Sequence, residues 1–140
     1  MADPRTISGR CECGAVEYEV EDTFSYAMNC HCSNCRASTG SAFKPFAGIE
    51  RDKLRVTKGA DTLLVWGDGD GNHTRCAVCG SLLYSVVDAE RVHVALGSLR
   101  DEPSLRPARH IRGAGRSSRF EFRRRASGAR DIRRRRIRGG

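Results

Sequence analysis

Three thiols fall within six residues at Cys30-His31-Cys32-Ser33-Asn34-Cys35, with Arg36 directly after them. A disulfide needs its two Cβ atoms about 3.8 Å apart with a near-perpendicular torsion, which closely spaced cysteines seldom reach. Three thiolates around one zinc ion are sterically easy. Zinc takes sulfur at about 2.3 Å in a tetrahedron, and three protein ligands leave one corner for water or a substrate. That open corner is the functional question the cluster poses.

The other four of the seven cysteines come as Cys11 with Cys13 and Cys76 with Cys79, each pair followed by a glycine, Gly14 and Gly80. Glycine at these places supplies the backbone angles of a turn folded around a metal. A pair alone does not hold zinc. The simplest division is four plus three, with Cys11, Cys13, Cys76 and Cys79 in a closed site and the central trio apart. A histidine among His31, His73 and His93 serving as fourth ligand to the trio satisfies the same count. Inside a C-x-C turn His31 is expected to point away from the metal, toward a hydrogen bond or solvent. Arg36 has two readings, neutralising an anionic zinc–thiolate centre or pairing with a substrate carboxylate as arginine does in bidentate fashion.

The elements that position these residues are short strands. Ala15 to Val20 alternates with period two, placing Val16, Tyr18 and Val20 on one face and Glu17 and Glu19 on the other. Ser25 to Asn29 then delivers the chain to Cys30, and Ala37-Ser38-Thr39-Gly40 reads as a helical turn closed by glycine. Ala42 to Ile49 is a strand whose Pro45 belongs at an edge or bulge. Leu54 and Val56 mark a further strand before Gly59. Leu63 to Trp66, apolar throughout, reads as a central strand, and Asp68-Gly69-Asp70-Gly71 as a hairpin turn. Leu82 to Val87 and Val92 to Leu96 complete an all-β, antiparallel domain.

Charge divides the 140 residues into two parts. From Arg109 onward 13 arginines face only Glu121 and Asp131, a charge of +11, which leaves −3 on the first 108 residues against +8 for the whole chain. Nucleic acid is therefore expected to meet only the tail, since a binding core carries its cations on its folded surface. Residues 1–122 read as the zinc-binding domain. Residues 123–140 read as an Arg-rich disordered tail, because like charges repel there with little apolar surface to bury. No stretch has the length or apolarity of a membrane span or signal peptide, and clustered thiols suit the reducing cytoplasm.

Cys11-x-Cys13-Gly14, Cys30-His31-Cys32-Ser33-x-Cys35-Arg36, Gly40-Ser41, Cys76-x-x-Cys79-Gly80, Gly97-Ser98-Leu99 and Arg106-Pro107-x-x-His110-Ile111 together resemble the glutathione-dependent formaldehyde-activating enzyme family, from about Ile7 to Phe122. The resemblance implies a small two-sheet Mss4-like (β-tent) fold. It implies a structural zinc on Cys11, Cys13, Cys76 and Cys79 and a catalytic zinc on Cys30, Cys32 and Cys35. It also implies glutathione as substrate, with Arg36 a candidate contact to it, in the reversible formation of S-hydroxymethylglutathione from formaldehyde, a carbon–sulfur lyase reaction in reverse. A non-catalytic zinc-held module with a basic tail that contacts nucleic acid is the competing reading, because fold alone does not fix function. The sequence sets no oligomeric state.

Overall fold

The computed structural model describes residues 3–67 and 71–111. Among the described residues ten strands are present: β1 (Thr6–Arg10), β2 (Glu17–Glu21), β3 (Tyr26–Cys30), β4 (Lys44–Glu50), β5 (Leu54–Lys58), β6 (Leu63–Trp66), β7 (Asn72–Cys76), β8 (Leu82–Val86), β9 (Arg91–Ala95) and β10 (Arg109–Ile111). One α-helix, α1 (Ser33–Thr39), lies between β3 and β4, and 3-10 turns occupy Arg51–Lys53 and Leu96–Ser98. The strands form a three-stranded sheet, β1-β2-β5, and a seven-stranded sheet, β10-β3-β4-β9-β8-β7-β6.

Alternation decides which face each strand buries. In β2, Tyr18 and Val20 are buried while Glu17, Glu19 and Glu21 stay partly exposed, and Ile7 of β1 turns inward beside them. They meet Ile49, Leu83, Val92 and Val94 of the larger sheet, with Cys11 and Cys76 in the same core cluster. Fully burying an aliphatic side chain such as Leu83 stabilises by about 2 kcal/mol. The core therefore ends at one of the two cysteine groups. β8 and β9 are rich in valine and leucine, which favour a pleated, half-buried surface.

Two expectations change. β6 is the outer edge of the seven-stranded sheet, not a central strand, and exposes Leu64, Val65 and Trp66 by 53%, 53% and 75%. Its apolar run signals one-sided packing through half-buried Leu63, with the other face open. β4 in turn lies in the sheet interior despite Pro45. Its pairing with β9 begins one residue later, at Phe46↔Ala95, so Pro45 has a strand partner on the β3 side only, opposite Asn29. The missing N–H is tolerated there.

β6 and β7 pair antiparallel from Leu63↔Cys76 to Trp66↔His73, as the Asp-Gly-Asp-Gly turn predicts, although residues 68–70 themselves lie outside the described residues. β10 pairs in parallel with β3, Ile111 opposite Cys30. Phe120 to Phe122 and the tail at 123–140 also lie outside the described residues. Among those described, no helix is long and apolar enough to cross a membrane.

Candidate metal centres

All seven cysteines are free thiols, and the fold gathers them into two groups, Cys11 with Cys13, Cys76 and Cys79, and Cys30 with Cys32 and Cys35. Within each group the sulfurs lie inside 4.8 Å of one another, so each can hold a metal ion. The four-plus-three grouping that the family resemblance implies is thus the one the chain adopts in space.

The four-thiol group joins two turns. After β1 the Gly14 amide donates to the Cys11 carbonyl and the Val16 amide to Cys11 Sγ at 3.2 Å, with Gly14 at φ 78°. After β7 the Gly80 amide donates to the Cys76 carbonyl and the Val78 amide approaches Cys76 Sγ at 3.4 Å, with Gly80 at φ 79°. Amides aimed at sulfur favour thiolate. A bulge between Thr74 and Arg75 re-aims the end of β7 toward this turn. Cys11 and Cys76 are wholly buried while Cys13 and Cys79 reach the surface. The Ser81 hydroxyl, with the Cys13 and Ser81 amides, draws the Cys79 thiol down to about 5.

The three-thiol group stands where β3 meets α1. Cys30 ends the strand, Cys32 is the N-cap of the helix, and Cys35 lies in its first turn with its amide donating to Cys32 Sγ at 3.3 Å. Gly40 closes the helix in the left-handed conformation, as its position suggests. Burial alone pushes the Cys32 thiol up, but the Cys35 amide, the neighbouring Cys35 and Cys30 thiols and the Asn34 amide outweigh it and leave Cys32 lowered. Burial and the adjacent thiols drive Cys35 the other way, up to about 12. One proton is thus given up more readily than the next, as expected of crowded, interacting thiols.

The histidines go elsewhere. His31 is fully buried, which overturns the solvent-exposed alternative; its Nε2 lies 3.0 Å from His110 Nδ1, and its ring packs against Phe43. His73 Nδ1 meets the Ser85 hydroxyl at 2.9 Å and His93 Nε2 the Tyr26 hydroxyl at 2.6 Å. Among the described residues none of the three joins the thiol trio. Arg36 donates from Nε to the His31 carbonyl at 3.2 Å, bracing the cysteine loop from the helix side. The Ser38 hydroxyl donates to the Cys35 carbonyl.

Sequence reasoning passed over Lys44. It pairs with Cys30 across β3 and β4, is 3% exposed, and donates from Nζ to Ser85 Oγ at 2.7 Å. Burial lowers its proton affinity, opposed by the Cys35, Cys30 and Cys32 thiols beside it. A lone lysine inside the apolar run Ala42 to Ile49 was the available signal. Beside it opens a cavity of about 580 Å³ whose lining includes Arg10, Ser38, Thr39, Arg75 and Arg100.

A small β protein of two sheets carrying one four-thiol and one three-thiol centre is the class defined by this fold and geometry. The chain belongs to the glutathione-dependent formaldehyde-activating enzyme family, whose model matches residues 6–114. A crystal structure of a Rhodobacter sphaeroides protein is similar to it, with 31% identity and a TM-score of 0.59 over 70% of this chain and 92% of that one. No curated protein matches.

Proposed function

We propose that the protein is a zinc-dependent carbon–sulfur lyase that reversibly adds the glutathione thiol to formaldehyde. In the forward direction the sulfur–carbon bond forms, the carbonyl π pair moves onto oxygen, and the thiol proton ends on that oxygen, giving S-hydroxymethylglutathione. The observation carrying this reading is the trio Cys30, Cys32 and Cys35, three thiols within 4.8 Å with no fourth ligand side chain among the described residues.

The donor set fits zinc. Four sulfurs about 2.3 Å from a tetrahedral ion stand roughly 3.8 Å apart, and Cys11 Sγ to Cys13 Sγ is 3.6 Å and Cys13 Sγ to Cys76 Sγ 3.8 Å. Cys11, Cys13, Cys76 and Cys79 would hold the structural ion, and Cys30, Cys32 and Cys35 the catalytic one. At the second centre zinc would supply Lewis acidity, which favours a thiolate nucleophile or polarises an aldehyde oxygen.

The chain's own residues would do the rest. The cavity beside Lys44 is within the size range of small-molecule sites, and Arg10 and Arg100 on its wall, which Glu12 shares, suit the carboxylates of glutathione, while Arg75 is held by the Gly80 and Ser38 carbonyls. Arg36, held through Nε, offers its Nη groups as a further contact to a glutathione carboxylate. Seven free thiols suit a reducing compartment such as the cytoplasm.

Zinc per chain, measured on protein purified without chelator, tests the reading when compared with the variant C30S/C32S/C35S. Two ions falling to one, together with NMR-measured exchange between glutathione and S-hydroxymethylglutathione that the native chain, but not the variant, speeds beyond the uncatalysed rate, is the expected result. One ion in both forms would sink it.

A further inference from the structure

Lys44 is a cation in an unusual place. Its side chain is 3% exposed, and among the described residues no carboxylate forms an ion pair with it. Across β3 and β4 it lies opposite Cys30, whose sulfur is within 4.8 Å of those of Cys32 and Cys35. A buried ammonium is tolerated only when opposite charge and hydrogen bonds surround it.

The hydrogen bonds fix its place. The ammonium donates to Ser85 Oγ at 2.7 Å, and the same hydroxyl lies 2.9 Å from His73 Nδ1. Three strands, β4, β8 and β7, thus clamp one charge against the end of β3, where Cys30 lies opposite Lys44. Charge counting gives the clamp a purpose. Three thiolates with one divalent ion carry −1, and the ammonium brings the assembly to zero. Cys30 is buried while Cys32 and Cys35 are only partly so, and it is at the buried member that Lys44 stands.

We propose that Lys44 is the counter-cation of the three-thiol centre, a positioning residue that keeps it electroneutral and so sets its affinity for a divalent metal. The inference rests on the metal reading above and assigns to Lys44 the neutralising role that the sequence offers to Arg36, whose Nε instead braces the His31 carbonyl.

The test is zinc affinity of the full chain, by competition with a chromophoric chelator, for the native protein and for K44M and K44R. Loss of a group that supports metal ligands from outside commonly weakens binding about 10- to 100-fold. That loss is expected for K44M at the weaker site alone, with the tighter zinc retained and with recovery in K44R. The one-zinc form of K44M should melt no lower than native, because an apolar side chain of similar volume replaces a buried charge. Unchanged affinity in K44M overturns the role of Lys44 while leaving the metal reading standing. A lowered melting point of the one-zinc form, with K44R as weak as K44M, assigns Lys44 to packing and also overturns it. A native chain holding one zinc overturns both readings together.

Discussion

The phenol of Tyr18 donates to Ser98 Oγ at 2.5 Å, and Ser98 passes its own proton to the Ala95 carbonyl at 2.7 Å, so a strand of the small sheet is tied to the turn that leaves β9. Burial holds the phenol neutral. The two ends of this bond are unequal. Y18F removes a donor and leaves Ser98 with its carbonyl partners, for an expected loss of about 1 kcal/mol. S98A strands a buried phenol and two carbonyls, for roughly 2–3 kcal/mol. Urea denaturation of both variants measures the difference, and equal losses would mean that the phenol finds another acceptor.

Gly59 follows β5 at φ 76°, and a Cβ there would collide with the backbone carbonyl of Ala15. A backbone atom cannot swing aside as a side chain can. G59A is expected to cost roughly 2–4 kcal/mol. Because Ala15 belongs to the turn that carries Cys11 and Cys13, zinc should also leave G59A faster in the presence of EDTA. A stable variant with native zinc retention would show that this turn yields freely.

His93 stacks on Phe46 with its Nε2 on the Tyr26 hydroxyl, and burial, with Lys44 and Arg91 nearby, lowers it from the ordinary 6.5 to about 4. A base with a depressed folded pKa binds its proton more weakly when native than when unfolded. Its contribution is complete above about pH 6.5 and is lost as pH falls toward 4. The stability deficit of H93Q relative to the native chain is therefore expected to shrink on acidification across that window, by about 1–2 kcal/mol after allowance for partial solvent screening. Chemical denaturation of both proteins from pH 7 to 4 would show it, and a constant deficit would refute the assignment.

Cys32 is both a member of the thiol trio and the N-cap of α1. Serine is itself a good N-cap, so C32S should keep the helix and lose less than about 1 kcal/mol. Acceleration of S-hydroxymethylglutathione turnover over the uncatalysed rate should nevertheless fall below detection while the four-thiol zinc remains. A C32S protein with native activity would move the chemistry away from this centre.

The cysteine spacing made the trio and each of the two pairs legible, since sulfurs two or three residues apart are brought together by a tight turn. The joining of Cys11 and Cys13 to Cys76 and Cys79 spans the chain and came from the family resemblance. Period-two alternation likewise exposed β2, and Gly40 marked the end of α1. What escaped notice depends on distant pairing. The edge position of β6 follows from which strands neighbour β7, and a run of four apolar residues reads the same at an edge as at the centre. The burial of His31 depends on Phe43 and His110, the latter 79 residues away along the chain. Lys44 meets Ser85, 41 residues further along the chain, and no local pattern joins the two.

The parallel pairing of β10 with β3 also bears on the order of assembly. The His31 amide donates to the Ile111 carbonyl at 3.0 Å, and Ile111 lies opposite Cys30. Synthesis runs from the N-terminus, and early segments can begin to fold before later ones exist. The cysteine loop at 30–35 emerges from the ribosome long before the strand that completes its border. On a nascent chain it waits with an open flank through some eighty further residues, and every other strand of the larger sheet is made before that flank can close.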